Sequence, residues 1–170
     1  MKEHSQPNAG GTLLVIGYGN TLRGDDGVGP RTAEAVGTLR LPRVRTLICQ
    51  QLSPEHSAPV SQAHTVIFVD AAVRPAAGGV QWRELSPGHS SQLLAHAADP
   101  GILLALARDV FGHAPAAWWL TIPAVNFDFG EDLSPVAAAG LSEALRRIKA
   151  VAEQFCPADG KNCEPVANPR

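Results

Sequence analysis

No apolar run in this chain comes near the roughly 20 residues that a helix needs to cross a bilayer, so no membrane span is expected. Residues 1–11 are polar, carry no apolar stretch of the kind a secretory signal has, and read as a mobile tail. Cysteine is scarce: Cys49, Cys156 and Cys163 are the only three, and none belongs to a CxxC pair. Three thiols cannot all pair within one chain, so reduced thiols in a cytoplasmic protein are the simplest reading, with a Cys156–Cys163 disulfide in the tail as the alternative. A basic patch is missing too; 14 lysines and arginines against 16 acids leave a net charge of −2. Nucleic acid is therefore not an expected partner. HExxH, GxSxG and GxxxxGK are all absent, which removes support for the common zincins, α/β-hydrolases and P-loop enzymes. There is no internal repeat and no sign of a second domain.

What is present fits one α/β domain. At 170 residues, 45% of them apolar, the chain can build a single sizeable core. Residues 12–16 are almost continuously apolar, as a strand buried on both faces of a parallel sheet is. Pro30 opens a helical pattern reaching Leu39, with Ala33, Val36 and Leu39 inward; proline at the first helical position costs no hydrogen bond. Residues 44–49 read as a second strand, 54–62 as a short, poor helix, and 65–69 as a β-branched third strand ending at Asp70. Residues 80–85 alternate as an edge strand does, and 86–98, with three serines and two histidines, read as a functional loop. Asp99 and Pro100 start a helix that Gly112 ends. Residues 118–125 form a further strand and 126–133 an acidic, solvated loop. Ser134 and Pro135 cap a last helix with Leu141, Leu145, Ile148, Ala152 and Phe155 on one face.

Alternating strands and helices give a single-domain, three-layer α/β/α fold over residues 12–156, with a twisted, mostly parallel sheet of about five strands. Residues 157–170 read as a second flexible tail. Right-handed crossovers limit the topologies, and the expected order places the first strand between the second and third. Asp26, just after the first strand, and Asp70, ending the third, then converge at the switch point where open sheets bind ligands.

The stretch LLVIGYGNTLRGDDGVGPR (residues 13–31) organises the chemistry. Gly17-x-Gly19 begins a dinucleotide fingerprint, but Leu22 stands at the third glycine position. No acid ends the second strand to take a ribose hydroxyl, and Asp25 and Asp26 would repel a pyrophosphate. Two carboxylates and a histidine suit a metal-facing site better, since imidazole and carboxylate ligands both serve first-row metals. Quieter roles are available for the same residues. Asp25 or Asp26 can cap the helix, and Asp70 can be a loop acid bonded to backbone. His64, His89 and His113 read as surface residues, and Trp118 and Trp119 as packing or edge residues.

These segments resemble the [NiFe]-hydrogenase maturation proteases. GYGNTLRGDDGVGPR (residues 17–31) is similar to that family's signature of a Gly-x-Gly-Asn turn, an acidic pair and Gly-x-Gly. TVIFVDAA (65–72), HAADPGILLALARDVFGHAP (96–115) and GEDLSP (130–135) follow in the family's order. The resemblance implies an endopeptidase that removes a C-terminal extension from a hydrogenase large-subunit precursor after nickel insertion. It recognises nickel in the substrate's own active site and needs no permanent metal of its own. It also implies that Asp26, Asp70 and His96 contact that nickel and carry catalysis, with His89 a rival for the histidine. Asn20, Gly17 and Gly19 shape the turn beneath, and the loops 50–54 and 86–95 line a groove for the substrate tail. A cytoplasmic monomer is expected. The alternative is an assembly factor or metallochaperone that binds the large subunit without cutting it.

Overall fold

The structure, a computed structural model, describes residues 11–73, 79–88 and 99–155. In chain order its elements are β1 (Leu13–Tyr18), α1 (Val28–Thr38), β2 (Val44–Cys49), α2 (Ser57–Ser61), β3 (Thr65–Ala72), β4 (Gln81–Leu85), α3 (Pro100–Phe111), β5 (Ala116–Pro123) and α4 (Pro135–Glu153). Short 3-10 turns at Gly24–Gly27 and Pro54–His56 lead into α1 and α2. Every residue of β1 is buried, which is why its sequence shows no alternation.

The sheet order is β2-β1-β3-β5-β4, so β1 does lie between β2 and β3. β1 runs parallel to both, β3 runs parallel to β5, and β4 closes the edge antiparallel to β5. One face packs on α1 and α4 through Val28, Ala33, Val36, Ala144 and Ile148. The other packs on α2 and α3 through Val60, Leu103, Leu104 and Ala107. The three-layer α/β/α architecture expected from the sequence is therefore present.

Several boundaries move, each for a local reason. Pro30 is the third residue of α1, not the first, because the Gly24–Gly27 turn feeds the helix two residues earlier. It still lies in the first turn, where its missing N–H had no intrahelical acceptor. Leu39 follows the helix and is 47% exposed, so it does not belong to the inner face. β3 continues past Asp70 to Ala72, with Asp70 paired to Thr121. β5 begins at Ala116 and stops at Pro123. The caps read from sequence are in place: Asp99 accepts from the Gly101 amide at 2.6 Å, Gly112 takes a left-handed φ of 76°, and Ser134 accepts from the Ala137 amide at 3.2 Å.

The helix nearest the site approaches the sheet without side chains between. A Cβ on Gly17 would stand 2.1 Å from the Gly29 carbonyl oxygen. One on Gly29 would stand 2.5 Å from the carbonyl oxygens of both Tyr18 and Val69. The obstructing atoms are backbone and cannot swing aside, so the N-terminus of α1 seats directly on the ends of β1 and β3. Gly29→Ala is expected to cost about 2–3 kcal/mol or more, as overpacking against immovable atoms does; urea unfolding of the purified variant measures it.

Candidate active site

Site geometry starts at the carboxyl ends of the four parallel strands, which share one edge. After β1 the chain turns sharply at Gly19, whose φ of 139° suits glycine and whose amide reaches the Cys49 and Gln50 carbonyls at 3.2 and 3.1 Å. A Cβ at Gly19 would meet the Asp26 carbonyl oxygen at 2.0 Å, so the turn folds back onto the acid itself. The Asn20 amide donates to Asp26 Oδ2 at 2.8 Å, and the Asn20 side chain accepts from the Leu22 amide at 2.9 Å. Asp26 is thereby pinned at the lip of the turn, half-buried, and does not cap α1, whose cap position is Gly27.

Asp25 does something else. It is fully buried, with 0% exposure. Its carboxylate accepts from the amides of Val125 (2.8 Å), Asn126 (3.0 Å) and Ser134 (2.7 Å), and from the Ser134 hydroxyl (2.7 Å). Burial alone would raise its pKa; the four hydrogen bonds outweigh that and hold the carboxyl below its ordinary 3.8. The capping role read for Asp25 is thus replaced by a clamp on the β5–α4 loop. The backbone of that loop is docked elsewhere too, with Gly24 N to Gly130 O at 2.7 Å, Gly130 N to Leu22 O at 2.9 Å, and the Arg23 guanidinium on the Phe127 carbonyl. The acids at 128, 131 and 132 are exposed, as expected.

Asp70 lies near the end of β3. Val66 and Phe68 point to the α2/α3 face, and alternation puts Asp70 there as well. Its Oδ1 accepts from the Ala71 amide at 2.8 Å. Burial, joined by the negative charge of Asp26, pushes its carboxyl up to about 6, against the opposing pull of the Tyr18 hydroxyl and the Ala71 amide. The structure therefore brings Asp26 and Asp70 to one edge, near enough for the Asp26 charge to act on Asp70. His96 and its rival His89 lie outside the described residues. His64 and His113 sit at the opposite, amino end: His64 Nδ1 faces the Thr12 amide at 3.3 Å, and His113 Nε2 faces the Ala63 carbonyl at 3.2 Å. Neither reaches the acids. Among the described residues no group of three His, Cys, Asp or Glu side chains could hold a metal.

Two further features frame the acids. A cleft of about 320 Å³ opens between the ends of β1 and β2, lined by Asn20, Thr21, Leu22, Ile48 and Gln50, with neither acid in its wall. Around the same edge stand Leu22, Ile48, Val73, Val125 and Phe129, all exposed, Phe129 at 87%. Sequence reasoning passed over Tyr18, which sits beside Asp70, and gave Trp119, diagonal to Asp70 on β5, only a packing or edge role; the period-2 alternation of β1, β3 and β5 is the signal that puts the three on one face.

No family model matches the chain, and no curated protein does. Solved structures do share the fold. The hydrogenase maturating endopeptidase HybD from E. coli has 20% sequence identity and a TM-score of 0.66 over 84% of this chain and 93% of its own. A hydrogenase 2 maturation peptidase from Thaumarchaeota archaeon SCGC_AB-539-E09 has 20% identity and a TM-score of 0.61 over 82% and 97%. The [NiFe] hydrogenase maturation protease HycI from Thermococcus kodakarensis has 18% identity and a TM-score of 0.61 over 85% and 92%.

The two carboxylates make opposite pH predictions. Asp70 holds its proton more tightly folded than unfolded, so its stabilising contribution is complete below about 3.8 and is lost as pH rises through about 6. Asp70→Asn is accordingly expected to flatten stability between pH 4 and 7 and to gain up to about 3 kcal/mol at neutral pH, read by urea unfolding at several pH values. Asp25 has the reverse sign: its contribution is present above 3.8 and is lost as pH falls below it. Asp25→Ala leaves buried donors unpaired and is expected to cost about 3 kcal/mol at pH 7 by the same measurement.

Proposed function

We propose that this chain is an endopeptidase that removes the C-terminal extension of a [NiFe]-hydrogenase large-subunit precursor after nickel insertion. The observation that carries the reading is the pair Asp26 and Asp70, delivered by neighbouring strand ends to one open edge. The fold shared with maturation endopeptidases supports it. So does the exposed apolar rim, because the substrate is a folded protein and not a free metabolite. No helix among the described residues is long and apolar enough to cross a membrane. The reading places the enzyme in the cytoplasm, acting as a monomer.

In this reading the nickel arrives with the substrate. Asp26, Asp70 and His96 approach its open coordination positions and so register that the metal has been inserted. The extension lies along the cleft beside β2. One carboxylate takes a proton from water as the water attacks the scissile carbonyl; the C–N bond then breaks and the proton passes to the leaving amine.

Nickel-loaded precursor incubated with the protein is expected to lose the mass of its extension, followed by mass spectrometry. Asp26→Asn, Asp70→Asn and His96→Ala should each abolish that loss while remaining folded by circular dichroism. Normal cleavage by all three refutes the site. Stable binding of the precursor by the wild type with no mass change favours the assembly-factor alternative.

A further inference from the structure

Tyr18 is the single tyrosine of the chain and the last residue of β1. With Leu14 and Ile16 it packs on the α2/α3 face. It follows the Gly17–Val69 pairing by one residue, which sets it beside Asp70. Trp119 is on the same face of β5, opposite Phe68 and diagonal to Asp70. The Arg83 guanidinium, on the strand beyond, lies 4.7 Å from the Trp119 ring centroid and holds the indole plane.

Two polar atoms here lack what burial demands. The Tyr18 hydroxyl and the Trp119 indole nitrogen are both buried, and neither completes a hydrogen bond of full geometry. The phenol, 8% exposed, nevertheless stands within interacting reach of both the Asp70 carboxylate and the indole. Native proteins leave few buried polar atoms unpaired, and two that adjoin each other, one of them beside a carboxylate, ask for a shared explanation. Burial first, and then the Asp70 charge, hold the phenol far above its ordinary value, so it keeps its proton. The indole N–H can only donate, the phenol donates and accepts, and an ionised carboxylate only accepts. Small torsional changes bring these three groups into one complete arrangement.

We infer that Tyr18 is a positioning residue for Asp70. The Trp119 N–H donates to the Tyr18 oxygen, and the Tyr18 O–H donates to the Asp70 oxygen that the Ala71 amide does not hold. Asp70 is then gripped at both oxygens from behind, and its remaining lone pairs face the open edge. The consequence for turnover rests on the peptidase reading; the hydrogen-bonded chain itself does not.

The lone tyrosine makes the test clean. In the Raman spectrum the intensity ratio of the tyrosine Fermi doublet falls when the phenol mainly donates and rises when it mainly accepts. The wild type is expected to show a balanced ratio. Trp119→Phe should lower it, and Asp70→Ala should raise it. A ratio unchanged in both variants overturns the inference, whether or not any precursor is cleaved. On nickel-loaded precursor, Tyr18→Phe should lower kcat about tenfold with KM unchanged, as losing a partner behind a ligating group does. A wild-type kcat in Tyr18→Phe also overturns the inference. A wild type that cleaves nothing refutes the peptidase reading and leaves the spectra to decide the chain.

Discussion

Everything at the carboxyl edge depends on a contact with no side chain in it. Gly17 and Gly29 let the first turn of α1 rest on the carbonyls of Tyr18 and Val69. The gain is positional. A helix held off by even one methyl group would lift the 24–27 turn away from the strand ends, and Asp26 with it. Asp26 influences Asp70 only because the turn that carries it folds back across the end of β1. The glycines of the first motif thus set the separation of two carboxylates that lie on different elements.

Asp25 fixes the other wall. A buried carboxylate is tolerable only when nearly all its lone pairs are used, and here four donors from the β5–α4 loop use them. Together with the backbone bonds of Gly24 and Leu22 to Gly130, that side chain orders a segment otherwise composed of coil and bend. The segment presents Val125 and Phe129 to solvent beside the acids. An apolar rim on an unanchored loop would be a poor docking surface, because ordering it on contact costs conformational entropy. Anchoring it through Asp25 meets that cost during folding.

The sheet was legible from the sequence because its signals are local. Unbroken apolar runs marked the buried strands, alternation marked β4, and Asp99, Gly112 and Ser134 marked helix ends through interactions spanning a few residues. The place of β1 between β2 and β3 was expected from the limited set of right-handed topologies; the places of β5 and β4 were not read. What was not legible is long-range. Nothing near Asp25 in the sequence names Val125, Asn126 and Ser134 as its partners, so a cap was an equally good local account. The loop at 126–133 read as solvated because its side chains are acidic; its backbone is what the fold uses. Tyr18 had no assigned role and Trp119 looked like packing or an edge residue, because their relation to Asp70 needs the register of three strands, and register is a tertiary fact.

Asp25 and Asp70 show how the fold treats two shielded carboxylates in opposite ways. Both are shielded from water, which by itself disfavours charge. Asp25 is surrounded by donors, so ionisation is favourable and the group stabilises the chain. Asp70 has the Ala71 amide, an incompletely engaged phenol and a second acid nearby, so ionisation is costly and the group weakens the chain at neutral pH. A carboxylate near an open edge, held by one amide with a phenol beside it, has lone pairs left for a cation or a proton in front. Strain of this kind persists where the missing partner comes from outside the chain. In the function proposed above, that partner is a metal centre carried in by the protein substrate, which would supply the positive charge that both acids lack, and only when the substrate is ready.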